Sequence, residues 1–178
     1  ELKVGAVIFD LDGVIVDNMA YHKKAWEIFV RKHNPGLAIE EFSRHFGRTN
    51  SDLIPLVFGH GLSEADIAAY GEEKEALYRK LYAGHIVSLP GLIDFLRELK
   101  EKRVAAVIAT SAPKKNLDFV LEGLGLRPWF SAFVDASAIK KGKPDPEIYL
   151  LAAKRAGQAS AACVVFEDSR AGLQAGLN

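Results

Sequence analysis

Three short, nearly all-apolar runs in this chain break off abruptly into acids or hydroxyls. Residues 4–9 (VGAVIF) run into Asp10, Asp12 and Gly13, residues 104–109 (VAAVIA) into Thr110 and Ser111, and residues 163–166 (CVVF) into Glu167 and Asp168. A weaker fourth run at 132–134 (AFV) ends in Asp135. Apolar runs this short, bounded by turn signals, read as strands buried on both faces, the mark of a parallel sheet. Helical periodicity occupies about 92–102, 115–124 and 145–156 between them. Strands alternating with helices predict an α/β fold: a Rossmann-like parallel sheet with right-handed crossovers. In open sheets of this kind the ligand crevice lies at the C-terminal strand ends, where every strong polar signal of this sequence sits.

Residues 16–87 break the alternation and read as amphipathic helices without a strand. Asp17 or Asn18 caps a first helix running to about His33, and Ser63 opens a Ser-Glu-Ala-Asp cap for a second reaching about Ala83. Between them the stretch 46–51, rich in polar and turn-forming residues, reads as a loop. The expected organisation is an α/β core of residues 1–15 and 88–178 carrying a helical insert at 16–87. With 178 residues, 49% of them hydrophobic, the chain can bury a sizeable core. Lys+Arg and Asp+Glu both number 23, so no net charge argues for nucleic acid or an anionic membrane as partner. No apolar run approaches the roughly 20 residues that span a bilayer. The opening Glu1, Leu2 and Lys3 lead straight into a strand, which reads as no signal peptide. A single cysteine, Cys163, excludes a disulfide within the chain, fits a reducing cytoplasm, and reads as a small buried hydrophobe.

The strand ends carry the chemistry. Asp10 and Asp12 are two apart on a strand and share a direction, so their carboxylates stand about 7 Å apart and repel unless a cation lies between them. Glu167 and Asp168 end another strand and add the hard oxygens that Mg²⁺ takes. Thr110 and Ser111 offer hydroxyls and free N–H groups to a phosphoryl oxygen, or an ordinary helix cap. Lys143 sits in a loop fixed by Gly142, Pro144 and Pro146, where it can neutralise a phosphate and a carboxylate; Lys140 and Lys141 read as a solvated turn.

In this order, Asp10–Leu11–Asp12–Gly13, Thr110–Ser111, Lys143–Pro144 and Glu167–Asp168 resemble the four motifs of the haloacid dehalogenase superfamily. The resemblance spans nearly the whole chain. It implies Asp10 as a nucleophile forming an aspartyl-phosphate, and Asp12 as general acid and then base. It implies Thr110, Ser111 and Lys143 as holders of the phosphoryl group. Mg²⁺ would lie on Asp10, the Asp12 carbonyl and Asp168, with Glu167 supporting it. An acid at position 12 sets the chain apart from the dehalogenases of the superfamily, whose leaving halide needs no proton.

The opening from Asp10 to Trp26 is similar to β-phosphoglucomutases and their phosphatase relatives, in which the insert is a mobile cap. His22 aligns with the mutase hinge histidine, or is a satisfied core histidine. Lys74 falls in the apolar stripe of Ile67, Tyr70, Leu77, Tyr78 and Leu81, where a lysine either snorkels or meets an anion. Gly47, Arg48 and Thr49 form another contact loop, since an arginine fork suits phosphate. Two departures turn the expectation from mutase to phosphatase. Ala112 and Pro113 stand in the loop that grips the second phosphate in mutases, leaving Lys115 and Asn116 as partial replacements, and Asn50 stands where mutases place a cap arginine. The expected activity is hydrolysis of a small phosphorylated metabolite, a sugar phosphate; the alternative is the mutase that interconverts glucose 1-phosphate and glucose 6-phosphate. Members of the superfamily usually continue with another strand and helix after the fourth motif, whereas this sequence stops at Asn178.

Overall fold

The structure, a computed structural model, describes residues 4–45, 48–59 and 61–178. Four parallel strands, β1 (Ala6–Phe9), β2 (Ala105–Ala109), β3 (Ala132–Val134) and β4 (Cys163–Phe166), form one sheet in the order β3-β2-β1-β4. The four apolar runs are thus the four strands. The register pairs Phe9 with both Ile108 and Phe166. Asp10 therefore leaves the central strand level with the motif residues that follow its neighbours. Its N–H still bonds the Phe166 carbonyl at 3.0 Å, which holds the backbone one residue past the ladder.

Between β1 and β2 lie α1 (Met19–His33), α2 (Ile39–Phe42), α3 (Asn50–Phe58), α4 (Glu64–Tyr82) and α5 (Leu92–Glu101); α6 (Lys114–Leu124), α7 (Glu147–Arg155) and α8 (Arg170–Leu177) complete the chain. Alternate residues of the sheet face two cores. Val7, Phe9, Ala106 and Ile108 pack with Leu92, Leu96, Leu117 and Leu121, whereas Ile8, Val107, Ala109 and Val134 pack with Ile148, Ala152 and Ala175. The insert has its own apolar cluster around Trp26, Phe29, Val30, Phe42 and Ile54, but Ala25, Tyr78 and Tyr82 belong to the first sheet core. The helical insert is therefore seated on the sheet layer as well as on itself. Its two connections run side by side: Val16 bridges Ser88, and the Leu89 N–H donates to the Ile15 carbonyl at 2.9 Å.

Three expectations are corrected. The stretch 46–51 is not all loop, because α3 begins at Asn50. Asp52 accepts from the Thr49 N–H at 3.2 Å and hydroxyl at 2.8 Å, a cap that the turn-rich composition and Pro55 within the helix concealed. Asn18 stands at the N-terminus of α1 but makes no side-chain cap bond, its amide being drawn elsewhere. Finally, among the described residues β4 is not buried on both faces, with Val164 and Phe166 at 42% and 41% exposure, and Cys163 is half-buried. The Ser63 cap appears as expected, its hydroxyl accepting from the Asp66 N–H at 3.1 Å. Among the described residues no helix is long and apolar enough to cross a membrane.

Candidate active site

The C-terminal strand ends and the insert enclose a cavity of about 380 Å³. Asp10, Asp12, Thr110, Ser111 and Asp168 line its floor, and His22, Trp26, Arg48, Lys74 and Glu75 line it from the insert. Lys143 and Glu167 lie just beneath. The Lys143 ammonium is 2.6 Å from Glu167 Oε2 and 3.1 Å from Asp10 Oδ1, so both acids pair with it. Tyr149 also donates to Glu167, and the Ser169 N–H and hydroxyl add bonds at 3.0 and 2.8 Å.

Asp10, Glu167 and Asp168 each offer a carboxylate oxygen within 4.8 Å of the others. Three acids meet one buried ammonium, and the imbalance shows in their titration. Burial, opposed by Lys143 and reinforced by Glu167 and Asp12, pushes the Asp10 carboxyl up to about 7. Burial and the neighbouring Glu167 raise Asp168 as well. Burial would also raise Glu167, but the Lys143 ammonium and the Tyr149 and Ser169 bonds hold it low. An all-oxygen donor set with a deficit of positive charge suits a hard divalent cation. The backbone makes room for the acids: a Cβ at Gly13, where φ is +77°, would lie 2.0 Å from Asp168 Oδ2, and one at Gly172 would lie 1.9 Å from Glu167 Oε2.

Asp12 faces differently. Its carboxylate accepts from the Asn18 amide at 2.6 Å and lies 3.4 Å from His22 Nε2. Burial would raise it, yet His22, Asn18 and Lys74 together hold it below the usual carboxylate range. The His22 ring stacks on Tyr78 at 3.8 Å, and its Nδ1 accepts from the Lys74 ammonium at 3.0 Å. That bond leaves the ring proton on Nε2, toward Asp12. The Asn18 amide also reaches the Tyr78 hydroxyl at 2.6 Å, which explains its absence from the α1 cap.

Thr110 is buried and its hydroxyl oxygen accepts from the Ala112 N–H at 3.0 Å, leaving its own proton to give. The Ser111 hydroxyl is buried with no partner among the described residues. Arg48 and Lys74 line the cavity, and Arg44 and Asn50 join them there. Thr49 does not, being held in the α3 cap. Lys115 does not either: its ammonium pairs with Glu72 at 3.0 Å on an exposed side chain. Asn116 is fully buried behind the cavity wall, donating to Glu75 Oε2 at 2.6 Å and accepting from Arg79 at 2.7 Å. Gly47 lies outside the described residues. Sequence reading missed Asn18, Glu75, Tyr78, Tyr149 and Arg44. Glu75 had the clearest signal, an acid beside Lys74 on the insert helix, but the neighbouring acids Glu72 and Glu73 hide it.

The family model for haloacid dehalogenase-like hydrolases matches residues 4–178. The chain belongs to that family. It is 37% identical over 172 residues to hexitol phosphatase A of Escherichia coli (strain K12), covering 96% of this chain and 77% of that protein. It is 31% identical over 173 residues to fructose-1-phosphate phosphatase YqaB of the same strain, covering 97% and 91%. Among solved structures, a β-phosphoglucomutase from Clostridium difficile superposes with a TM-score of 0.86 at 32% identity, covering 98% of this chain and 80% of that one. The relatives thus include enzymes that release phosphate from small phosphorylated carbohydrates and one that moves it.

Proposed function

We propose that the chain is a magnesium-dependent phosphatase of a small sugar or sugar-alcohol phosphate, acting through an aspartyl-phosphate on Asp10. The observation that carries this reading is the pair of carboxylates two residues apart, Asp10 turned down to Lys143 and Asp12 turned up to His22 and Asn18. Asp10 lies among the acids that would hold a cation, which would keep it ionised as a nucleophile, and Asp12 lies on the insert side, where the leaving group would sit.

A carboxylate oxygen of Asp10 attacks phosphorus, and the bond from phosphorus to the ester oxygen breaks. Asp12 gives that oxygen a proton; the phosphate dianion beside it raises the carboxyl enough to carry one. Water then attacks the aspartyl-phosphate as Asp12 takes its proton, releasing inorganic phosphate and restoring Asp10. Lys143, Thr110 and Ser111 hold the phosphoryl oxygens, and the insert excludes bulk water. Asp10, Asp168 and the Asp12 carbonyl, with Glu167 behind them, would hold Mg²⁺, which supplies positive charge to the transferring phosphoryl group.

Hydrolysis is favoured over mutation of the phosphate's position by what surrounds Lys74 and Lys115. A mutase must grip a second phosphate, whereas here the first lysine faces Glu75 and His22 and the second faces Glu72. The test is incubation with β-glucose 1-phosphate, Mg²⁺ and a trace of the bisphosphate, alongside a screen of sugar and sugar-alcohol phosphates. Free phosphate is the expected product. Glucose 6-phosphate formed much faster than free phosphate would overturn the reading. We further propose that residues 16–87 move as a cap about the paired connections at Val16 and Ser88, in the cytoplasm.

A further inference from the structure

Glu75 is a buried carboxylate, 3% exposed, on the cavity wall contributed by α4. The Lys74 ammonium at 2.9 Å and the Asn50 amide at 3.0 Å both donate to its Oε1, and the Asn116 amide at 2.6 Å donates to Oε2. A carboxylate has about four acceptor positions, so among the described residues one on Glu75 stays open. Asn116 is itself braced by Arg79, which also pairs with Glu72, so the acid cannot swing away cheaply. Lys74 is committed in turn. Besides Glu75 it donates to His22 Nδ1 at 3.0 Å and sits 4.8 Å from the Trp26 ring centre.

We propose that Glu75 is the specificity-determining residue for the substrate's far end, accepting a hydroxyl of a neutral polyhydroxylated chain and turning away a second phosphate. The proposal rests on the phosphatase reading. Its physics is charge sign in a closed space. A hydroxyl brings a proton to the open acceptor, and the pair is charge-assisted. A phosphate brings only acceptors and a like charge, and it finds Lys74 already neutralised. Trp26 and Leu53, on the same wall, give the carbon chain an apolar surface. Arg44 and Arg48 are the opposing consideration, since both line the cavity and carry the charge that a second phosphate would seek. The two readings therefore make opposite predictions about a bisphosphate.

The test compares kcat/KM for sorbitol 6-phosphate, n-hexyl phosphate and fructose 1,6-bisphosphate. Turnover of p-nitrophenyl phosphate, whose leaving group has no aliphatic hydroxyl, reports the phosphatase reading separately; its absence in the presence of Mg²⁺ would sink that reading first. The wild type should prefer the polyol ester to the alkyl ester and to the bisphosphate, each by about 10- to 100-fold. Glu75→Gln should narrow both preferences by about tenfold, partly by gaining on the bisphosphate as Lys74 loses its counter-charge. Both ratios are taken within one variant, so a general loss through His22 and Asp12 cancels. If Glu75→Gln does not fold, the wild-type ratios still decide. Equal or better turnover of the bisphosphate by the wild type would overturn the proposal and assign the far end to Arg44 and Arg48. Ratios left unchanged by Glu75→Gln would overturn it too.

Discussion

Two ionic clusters face each other across the cavity, and they are built on opposite accounts of charge. At the strand ends, Lys143 alone among the described residues answers Asp10, Glu167 and Asp168, and the Asp10 carboxyl is pushed up to about 7. On the insert, Lys74 meets Glu75 one to one. Neutral Asn50 and Asn116 occupy further acceptor positions, and burial of Glu75 is more than offset by Lys74 and its other partners, so that acid is held low. Asp168 is exposed and Glu167 half-buried, but Asp10 and Glu75 are both buried, at 7% and 3% exposure, so desolvation does not separate those two acids. The difference lies in whether the partners close the balance. The first cluster leaves a deficit of positive charge that a cation can resolve, whereas the second leaves none.

The sharpest break of this contrast is Asp10→Asn. Turnover of any phosphate ester should fall by about 10³-fold or more, because an amide cannot attack phosphorus. The metal-free protein should nevertheless gain stability. A carboxyl whose folded pKa lies above its unfolded value binds more protons when folded, so its presence costs stability as pH rises from about 4 to about 7, and the cost stays constant above. The gain in Tm of Asp10→Asn over wild type should therefore be near zero below pH 4, grow through that window and level off. A gain that shrinks with pH, or wild-type turnover, would remove Asp10 from its role.

Removing divalent cations tests the same deficit from the other side. Excess chelator should abolish turnover, and adding Mg²⁺ back should raise Tm with concentration, as any ligand of the folded state does. Asp10→Asn should show a weaker rise and Glu75→Gln the wild-type rise, since the second cluster has no deficit for a cation to fill. Full activity in excess chelator would contradict the metal reading.

Lys143→Met comes next. It strands carboxylates that now share one ammonium, and breaking a buried pair in this way costs about 3–5 kcal/mol. Combining it with Asp10→Asn should recover part of that loss, because one of the stranded charges is gone. Denaturant midpoints of the two single variants and the double variant measure the coupling. Simple additivity would mean that the 3.1 Å approach of Lys143 to Asp10 carries no energy.

These two clusters were unequally legible in the sequence. The strand-end residues are local signals: each follows an apolar run directly, so reading the run as a strand places the acid at the crevice. The four strands and the long helices were readable for the same reason. The insert cluster is assembled from Asn18, His22, Asn50, Lys74, Glu75 and Asn116, which lie on different helices with no spacing rule to join them. Lys74 and His22 stood out as polar residues on apolar faces, whereas Asn18 read as a helix cap and Asn50 and Asn116 drew notice only through the resemblance to the mutases. The partners that decide what they do are fixed by packing of α1, α3, α4 and α6, which periodicity cannot show.

The smallest expected effect is the most direct check on how the sequence misassigns neighbours. Lys115 and Asn116 were grouped as one phosphate grip, yet the first turn of α6 points them apart. The Lys115 side chain is 68% exposed and pairs with Glu72, which is itself 43% exposed, whereas Asn116 is fully buried between Glu75 and Arg79. An exposed pair of this kind contributes about 0.2–1 kcal/mol and is screened by salt. Lys115→Ala should therefore leave kcat/KM for every phosphate ester within about twofold, and any change in stability should fade as ionic strength rises. Asn116→Ala should cost more, because it leaves a buried carboxylate oxygen and a guanidinium without their partner, a loss of about 1–3 kcal/mol that salt does not relieve. Steady-state kinetics and denaturant melts at low and high salt separate the two. If Lys115→Ala instead lowered kcat/KM tenfold for a bisphosphate while sparing monophosphates, Lys115 would have to leave Glu72 for the substrate, and the far end of the cavity would be a second anion site after all.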